Sequence, residues 1–157
     1  MAETKVKDAV ALLKDDHRTV EELFAQFEKA SGEGRKQKLA TQICTELSIH
    51  AQIEEEIFYP ACEGKVEDEL IKEAYVEHDG AKLLIAEIMA GEPSDEFYDA
   101  KVKVLGEYIK HHVKEEEQPG GIFAQAKKGE EDLDEMGARL KARKEELMAK
   151  MKRARAN

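Results

Sequence analysis

The chain has 157 residues with a formal charge of -10; 38% of them are charged, 6% are aromatic, and there is no tryptophan. That length holds one domain with a single core of ordinary size, and the abundance of Ala, Leu, Glu and Lys belongs to long helices rather than to a β-rich domain. The negative charge argues against nucleic acid or an anionic membrane as the main partner. Cys44 and Cys62 are too few for a disulfide scaffold, the charged N-terminus lacks a secretory signal, and no stretch approaches ~18 consecutive apolar residues, so the expected setting is cytoplasmic.

Thr4 is a fair N-cap for a first helix running to about Ala30, with an inward face of Val6, Val10, Leu13, His17, Val20, Phe24 and Phe27. Ser31-Gly32-Glu33-Gly34 ends it, with two glycines free to turn the chain. A second helix is expected from about Arg35 to Cys62. Its face reads Ala40, Ile43, Leu47, His50, Glu54, Ile57 and Ala61, at steps of three and four, and Pro60 kinks or tightens its end. Gly64 stops it. A third helix, about Val66 to Ala90, presents Ile71, Ala74, His78, Ala81, Ile85 and Ile88. Gly91-Glu92-Pro93 breaks the chain, and Ser94 is expected to cap a fourth helix with Asp95 and Glu96 in its first turn. The inward face of that helix reads Tyr98, Val102, Leu105, Ile109, His112 and Glu116. After Gln118-Pro119-Gly120-Gly121 a short helical piece covers Ile122 to Lys128. A fifth, highly charged helix from about Glu130 to Arg153 carries a narrow stripe of Leu133, Met136, Leu140, Leu147 and Met151.

An internal repeat organises these elements. A shift of 61 lays Val10, Leu13, His17, Val20, Phe24 and Phe27 on Ile71, Ala74, His78, Ala81, Ile85 and Ile88. A shift of 62 lays Ala40, Ile43, Leu47, His50 and Glu54 on Val102, Leu105, Ile109, His112 and Glu116. Each half is therefore a helical hairpin with one His on its first helix and a His-x-x-x-Glu on its second. Short linkers make successive helices antiparallel neighbours. The expected fold is all-α, an up-down-up-down four-helix bundle over residues 1–128 with an additional charged C-terminal helix over 129–157 that packs on or extends from it.

A lone His on an apolar face is more often a hydrogen-bonded core residue, and a run such as Glu54-Glu55-Glu56 more often coats a solvated face. Matching His and Glu positions in both halves are harder to explain that way. Buried acids and imidazoles without a cation would leave several costly polar groups in the core, so the pattern points to a metal. Nitrogen and oxygen donors without thiolate suit iron, manganese or zinc. A structural zinc wants four ligands; six candidates, two of them carboxylates able to bridge, point to a pair of ions. The ferritin-like Glu-x-x-His is absent, because Lys14, Leu47, Tyr75, Tyr108 and Ile109 stand three residues before the histidines.

The features Asp16-His17, His50-x-x-x-Glu54-Glu55 followed by Phe58-Tyr59-Pro60, Glu77-His78, and His111-His112-Val113-Lys114-Glu115-Glu116-Glu117 together resemble the hemerythrin family, and more closely its HHE cation-binding branch, over about residues 8 to 128. The resemblance implies that His17, His50, Glu54, His78, His112 and Glu116 hold a non-haem centre of two iron ions, bridged by Glu54 and Glu116 and by an oxo or hydroxo group. It also implies a small-molecule partner: dioxygen, nitric oxide or peroxide. Oxygen carriers of the family have a second His one turn from the third-helix His. Here Ala74 and Lys82 occupy those positions, leaving water, a tyrosine such as Tyr75 or Tyr108, or another glutamate for one ion. Carriers also have His-x-x-x-x-Asp in the last motif, where this chain offers His112 or His111 before Glu116; helical phase and the repeat favour His112. Three functions fit: a binder or sensor of oxygen or nitric oxide, a catalase-like enzyme that decomposes peroxide, and an iron-handling or iron-responsive protein. Glu55 and Glu117 are read as solvated or as steering an imidazole, Glu21 as a surface residue, and Cys62 as an inert buried thiol. The basic residues of the last helix are expected to pair with Glu145 and Glu146 and with its C-terminal dipole.

Overall fold

The computed structural model describes residues 7–129 and 132–156; Thr4 and Val6 lie outside them. Helix α1 spans Ala9–Lys29 and starts at Asp8, whose side chain accepts the Ala11 N–H at 2.8 Å. That bond satisfies one of the donors a helix start leaves free. Gly32, at φ +88°, turns the chain into α2 (Glu33–Ile53), so Gly34 lies inside the helix rather than in the turn. A π turn (Glu54–Phe58) interrupts the helical ladder before the short α3 (Tyr59–Cys62). Pro60 sits in the first turn of α3 and offers no N–H to the carbonyls of the preceding π turn.

Helix α4 spans Asp68–Ala90 and α5 spans Tyr98–Glu117. The start of α5 differs from the sequence expectation, because Ser94 does not cap it. The Asp95 carboxylate instead accepts the Glu92 N–H at 2.8 Å, and Asp95 N–H and Tyr98 N–H bond to Glu92 O and Asp95 O in consecutive tight turns. A local side-chain bond of this kind competes with helix and delays its start. Gly121 then brings the chain back: a Cβ there would lie 2.3 Å from the Glu115 carbonyl oxygen. Helix α6 (Ile122–Lys128) follows, and α7 (Leu133–Ala156) completes the chain.

Helices α1, α2, α4 and α5 form a four-membered bundle in which α1 packs on α2 and α5, and α4 on α2 and α5. Two apolar clusters fill it. One, at the α6 and α7 end, holds Leu13, Ile53, Phe58, Ile71, Phe123 and Leu140; the other, at the far end, holds Val20, Leu39, Ile43, Ile88, Val102 and Leu105. The polar residues Asp16, His17, His50, Glu54, His78, His112 and Glu116 are buried as well. No described helix is long and apolar enough to cross a membrane.

Helix α7 lies along α1 and α2, with Met136, Leu140 and Leu147 buried and Leu133 and Met151 packed beside them. Its cations reach across to the bundle: Arg143 Nε bonds both Glu56 oxygens at 3.1 and 3.0 Å, Lys144 bonds Asp16 at 2.5 Å, and Arg155 bonds Thr45. Arg143 also pairs with Glu146 of its own helix. Leu140→Ala is expected to cost about 2–5 kcal/mol, as for a fully buried leucine. A melt indistinguishable from that of the unaltered chain would make α7 an appendage rather than part of the core.

Candidate metal centre

The six residues singled out from the sequence converge as two buried triads, one of His17, His50 and Glu116 and the other of Glu54, His78 and His112, with donor atoms within 4.8 Å of one another in each. The carboxylates are shared between them. Glu54 Oε1 lies 3.2 Å from His50 Nε2 of the first triad, and 3.2 and 3.9 Å from His78 and His112 Nε2 of the second. Glu116 Oε1 lies 3.1 Å from His17 Nε2 and 3.4 Å from His112 Nε2. Both glutamates are fully buried. Side chains from α1, α2, the π turn, α4 and α5 all contribute, which the hairpin repeat requires.

The orientation of each imidazole is fixed from outside. His17 Nδ1 bonds Glu117 at 2.6 Å, His50 Nδ1 bonds Asp16 at 2.8 Å, His78 Nδ1 bonds Glu55 at 2.9 Å, and His112 Nδ1 bonds Glu77 at 2.7 Å. An ionised carboxylate only accepts, so each Nδ1 donates and each Nε2 is turned to the centre. The pattern obeys the repeat. Within a hairpin, the acid before the first-helix His holds the second-helix His; across hairpins, the acid after the shared Glu holds the other first-helix His. A cation backs three of the outer acids, Lys144 on Asp16, Arg18 on Glu117 at 2.6 Å and Lys82 on Glu55 at 2.9 Å, and the His111 ring lies beside Glu77 at 3.4 Å. Carboxylate–imidazole pairs of this type orient metal ligands and raise their basicity. Asp16→Ala is expected to weaken metal binding about 10–100-fold, read by competition against a chromogenic chelator. Unchanged affinity would show that His50 keeps its orientation without this bond.

Inside the ring of donors, His17 Nε2, His50 Nε2, both Glu54 oxygens and Glu116 Oε1 make no hydrogen bond. Buried polar atoms are nearly always paired. Lone pairs that face one another at 3.1–3.4 Å need a positive species between them. Without a metal, protons take that place. Burial disfavours the His50 imidazolium, but the charge of Glu54 at 3.2 Å and the bond to Asp16 outweigh it, pushing His50 up to about 10. The same balance holds His112 well above its ordinary value, through Glu116, Glu54 and Glu77. Burial tends to raise the Glu54 carboxyl, yet the imidazoles of His50, His112 and His78 hold it well below the usual range. These donors fit a cation pair: imidazole nitrogens and carboxylate oxygens converging in the core, five of those atoms with no hydrogen-bond partner.

One buried group escaped sequence reasoning. Tyr59 is fully buried, donates to Glu116 Oε2 at 2.7 Å, and stands 3.4 Å from both His78 Nε2 and His112 Nε2. Burial, with Glu116 and Glu54 beside it, raises its phenol well above the ordinary value. An unbroken α-helix through His50 and Glu54 would put Ile57 and Ala61 on the inward face. The π turn inserts one residue into that count and brings Tyr59 inward instead, leaving Ile57 and Ala61 only partly buried. The one available signal was Pro60, which disfavours continuing the α ladder. The tyrosines suggested for the missing position are elsewhere. Tyr108 is 51% exposed, and Tyr75 packs edge-on against the outer side of Tyr59, with ring centroids 5.4 Å apart. His111 is exposed and sits with Glu77 and Glu115 at the surface, while His112 points inward. Glu21 is exposed and pairs with Arg18. Both cysteines are buried free thiols, raised to about 12 by burial.

An all-helical bundle with two His/Glu triads sharing their carboxylates across the core belongs to the class of cation-binding helical bundles. The chain is a member of the hemerythrin HHE cation binding domain family, whose model matches residues 8–119. A solved hemerythrin HHE cation binding domain-containing protein from Mycobacterium kansasii shares the fold, with a TM-score of 0.77 and 24% identity over 92% of this chain and 89% of that one. A DNA nickase from Nostoc sp. is 26% identical over 142 residues, 89% of this chain. The chain spans only 40% of that protein's length.

Proposed function

We propose that this chain is a non-haem di-iron protein that binds or reacts with a small oxidant: dioxygen, nitric oxide or peroxide. His17, His50 and Glu116 would hold one iron, Glu54, His78 and His112 the other, with Glu54 and Glu116 reaching both. The observation that carries the reading is the sharing of each buried carboxylate between imidazoles of opposite triads. A single tetrahedral ion would have no use for two such sets. When bound, an iron pair supplies redox capacity and open coordination positions for a small ligand.

The protein's own part is to bind, orient and exclude water. The outer acids hold each imidazole with Nε2 inward, the apolar clusters at both ends of the bundle keep the centre dry, and Phe123 stacks on His17 at 5.7 Å to close one side. The lack of a histidine one turn from His78 favours reaction with peroxide or nitric oxide over reversible carriage of oxygen. Residues 1–128 would form the metal-binding unit, with 129–157 buttressing it, in a reducing compartment such as the cytoplasm that keeps Cys44 and Cys62 as thiols. DNA nicking belongs to the Nostoc protein as a whole; the charge of -10 and the buried site favour a small-molecule partner here.

The test is metal analysis combined with oxidant assays on one preparation. About two irons per chain are expected, with peroxide consumption or ligand-dependent spectral change that His50→Ala abolishes. Iron-free protein that still folds, or oxidant chemistry indifferent to His50→Ala, would overturn the reading.

A further inference from the structure

We propose that Glu77, His111 and Glu115 form a second cation site, on the outside of the bundle, that takes a first-row divalent metal ion from solvent. It lies apart from the buried centre and does not depend on what that centre holds. The repeat points to it. The shifts of 61 and 62 lay Leu12 and Asp16 on Glu73 and Glu77, and Ile49 and Ile53 on His111 and Glu115. In the first hairpin this face is the seat of α7. Leu12, Ile49 and Ile53 are buried in one cluster with Met136, Leu140 and Leu147, and Lys144 places its ammonium on Asp16 at 2.5 Å. In the second hairpin the apolar seat has become acid and imidazole, and the His111 side chain is 64% exposed. Asp16 and Glu77 do equivalent work, since each holds the imidazole of the next helix, His50 or His112. The structure thus records a cation on one of the two matched acids. At the other stands a set of metal donors, with no lysine or arginine paired to Glu77 or Glu115 among the described residues.

The donors are spaced to share one ion. Glu77 gives Oε1 to His112 Nδ1 at 2.7 Å and turns Oε2 to His111 Nε2 at 3.4 Å. His111 and Glu115 stand one turn apart on α5, with Nε2 2.9 Å from Oε1. Two donors each ~2.1 Å from a common ion lie about 3.0 Å apart at right angles and about 3.4 Å apart at the tetrahedral angle. One donor atom from each of the three residues falls within 4.8 Å of the other two. Glu73 adds its charge to Glu115, so the surface carries three carboxylates, of which a single imidazolium would balance one. A divalent ion neutralises Glu77 and Glu115 together. An imidazole nitrogen with carboxylate oxygens suits manganese, ferrous iron or zinc better than magnesium or calcium. Three protein donors leave a position to water, so the ion exchanges with solvent. Once bound, it gives Glu77 the positive neighbour that Lys144 gives Asp16.

The experiment titrates the full chain with zinc ions by calorimetry, with its tightly held metal measured before and after. His111→Ala and Glu115→Gln are titrated alongside, and their melts check that they fold. The unaltered chain is expected to bind one equivalent of zinc more than His111→Ala, with the tightly held metal unchanged. Glu115→Gln is expected to weaken that equivalent by about tenfold or more. Equal zinc equivalents in the unaltered chain and His111→Ala, or an added equivalent that Glu115→Gln binds as tightly, overturns the proposal. Should either variant fail to fold, anomalous scattering from zinc-bound crystals of the unaltered chain decides. A peak between His111 Nε2 and the Glu115 carboxylate supports the site, and its absence overturns it. The titration is read as a difference between chains with the same core. An outer equivalent in protein without an iron pair therefore overturns the earlier reading alone, and an iron pair without the outer equivalent overturns this one alone.

Discussion

Stripping the metal from the purified chain is expected to lower its melting temperature by roughly 8–16 °C. A ligand that binds only the folded state, at a free concentration about a thousand times its Kd, stabilises by about 4 kcal/mol. At this chain length each kcal/mol moves the midpoint by about 2–4 °C. The loss should depend on pH in a definite direction. In the metal-free fold His50 is raised from 6.5 to about 10, so its contribution is complete below about pH 6.5 and fades as pH rises through about 10. Glu54 and Glu116 are lowered from 4.5, so theirs is complete above about pH 4.5 and is lost as pH falls through their folded values. The metal-free protein is therefore most stable near pH 5 to 6. Metal must displace the His50 and His112 protons, so its binding strengthens as pH rises. The gap between the metal-bound and metal-free melting temperatures should widen from pH 6 to pH 8, and proton release should accompany loading in weakly buffered solution. Equal melting temperatures with and without chelator would remove the buried two-ion centre from consideration.

Glu54→Ala should do the most damage of any single change in the centre. Glu54 faces His50 and His78 at 3.2 Å and His112 at 3.9 Å, and none of its surface reaches solvent. If two ions share this carboxylate as proposed, its removal takes a donor from both, and bound metal should drop below one equivalent per chain. It also leaves a buried imidazolium without its partner, a loss of about 3–5 kcal/mol in the metal-free protein. Glu21→Ala is the matched control. Glu21 follows His17 at the same spacing as Glu54 follows His50, yet it is exposed, and its loss should stay within about 0.5 kcal/mol with metal content unchanged. Denaturation curves and metal analysis on the two variants separate the cases; equal effects would mean the buried ring of donors is not where metal binds.

Helix faces and the hairpin repeat were legible in the sequence because α-helical phase converts spacing into direction. His17, His50, His78 and His112 stand at equivalent positions of two similar hairpins, so aligning the halves places them at one level. What spacing cannot report is a change in the phase itself. Tyr59 was hidden because the count from Glu54 assumes 3.6 residues per turn through a stretch where the chain takes a wider one. The outer acids were half visible. Asp16 and Glu77 precede histidines in the sequence, but each orients the histidine of the next helix, a crossing that only the packed structure reveals. Ser94 failed as a cap for a local reason: Asp95, one residue on, had its own backbone partner. The basic residues of α7 found acids on α1 and the π turn, and no composition argument distinguishes those from the acids on their own helix.

The contact between Lys144 and Asp16 ties the last helix to the imidazole of His50 through a single carboxylate. Influence along such a link runs both ways with equal free energy. A tail trimmed by a protease ahead of Lys144 should let ions escape faster, and a fully loaded centre should in turn slow the protease. Limited digestion with and without iron would then report occupancy through the rate at which the tail is clipped, with no spectroscopy required.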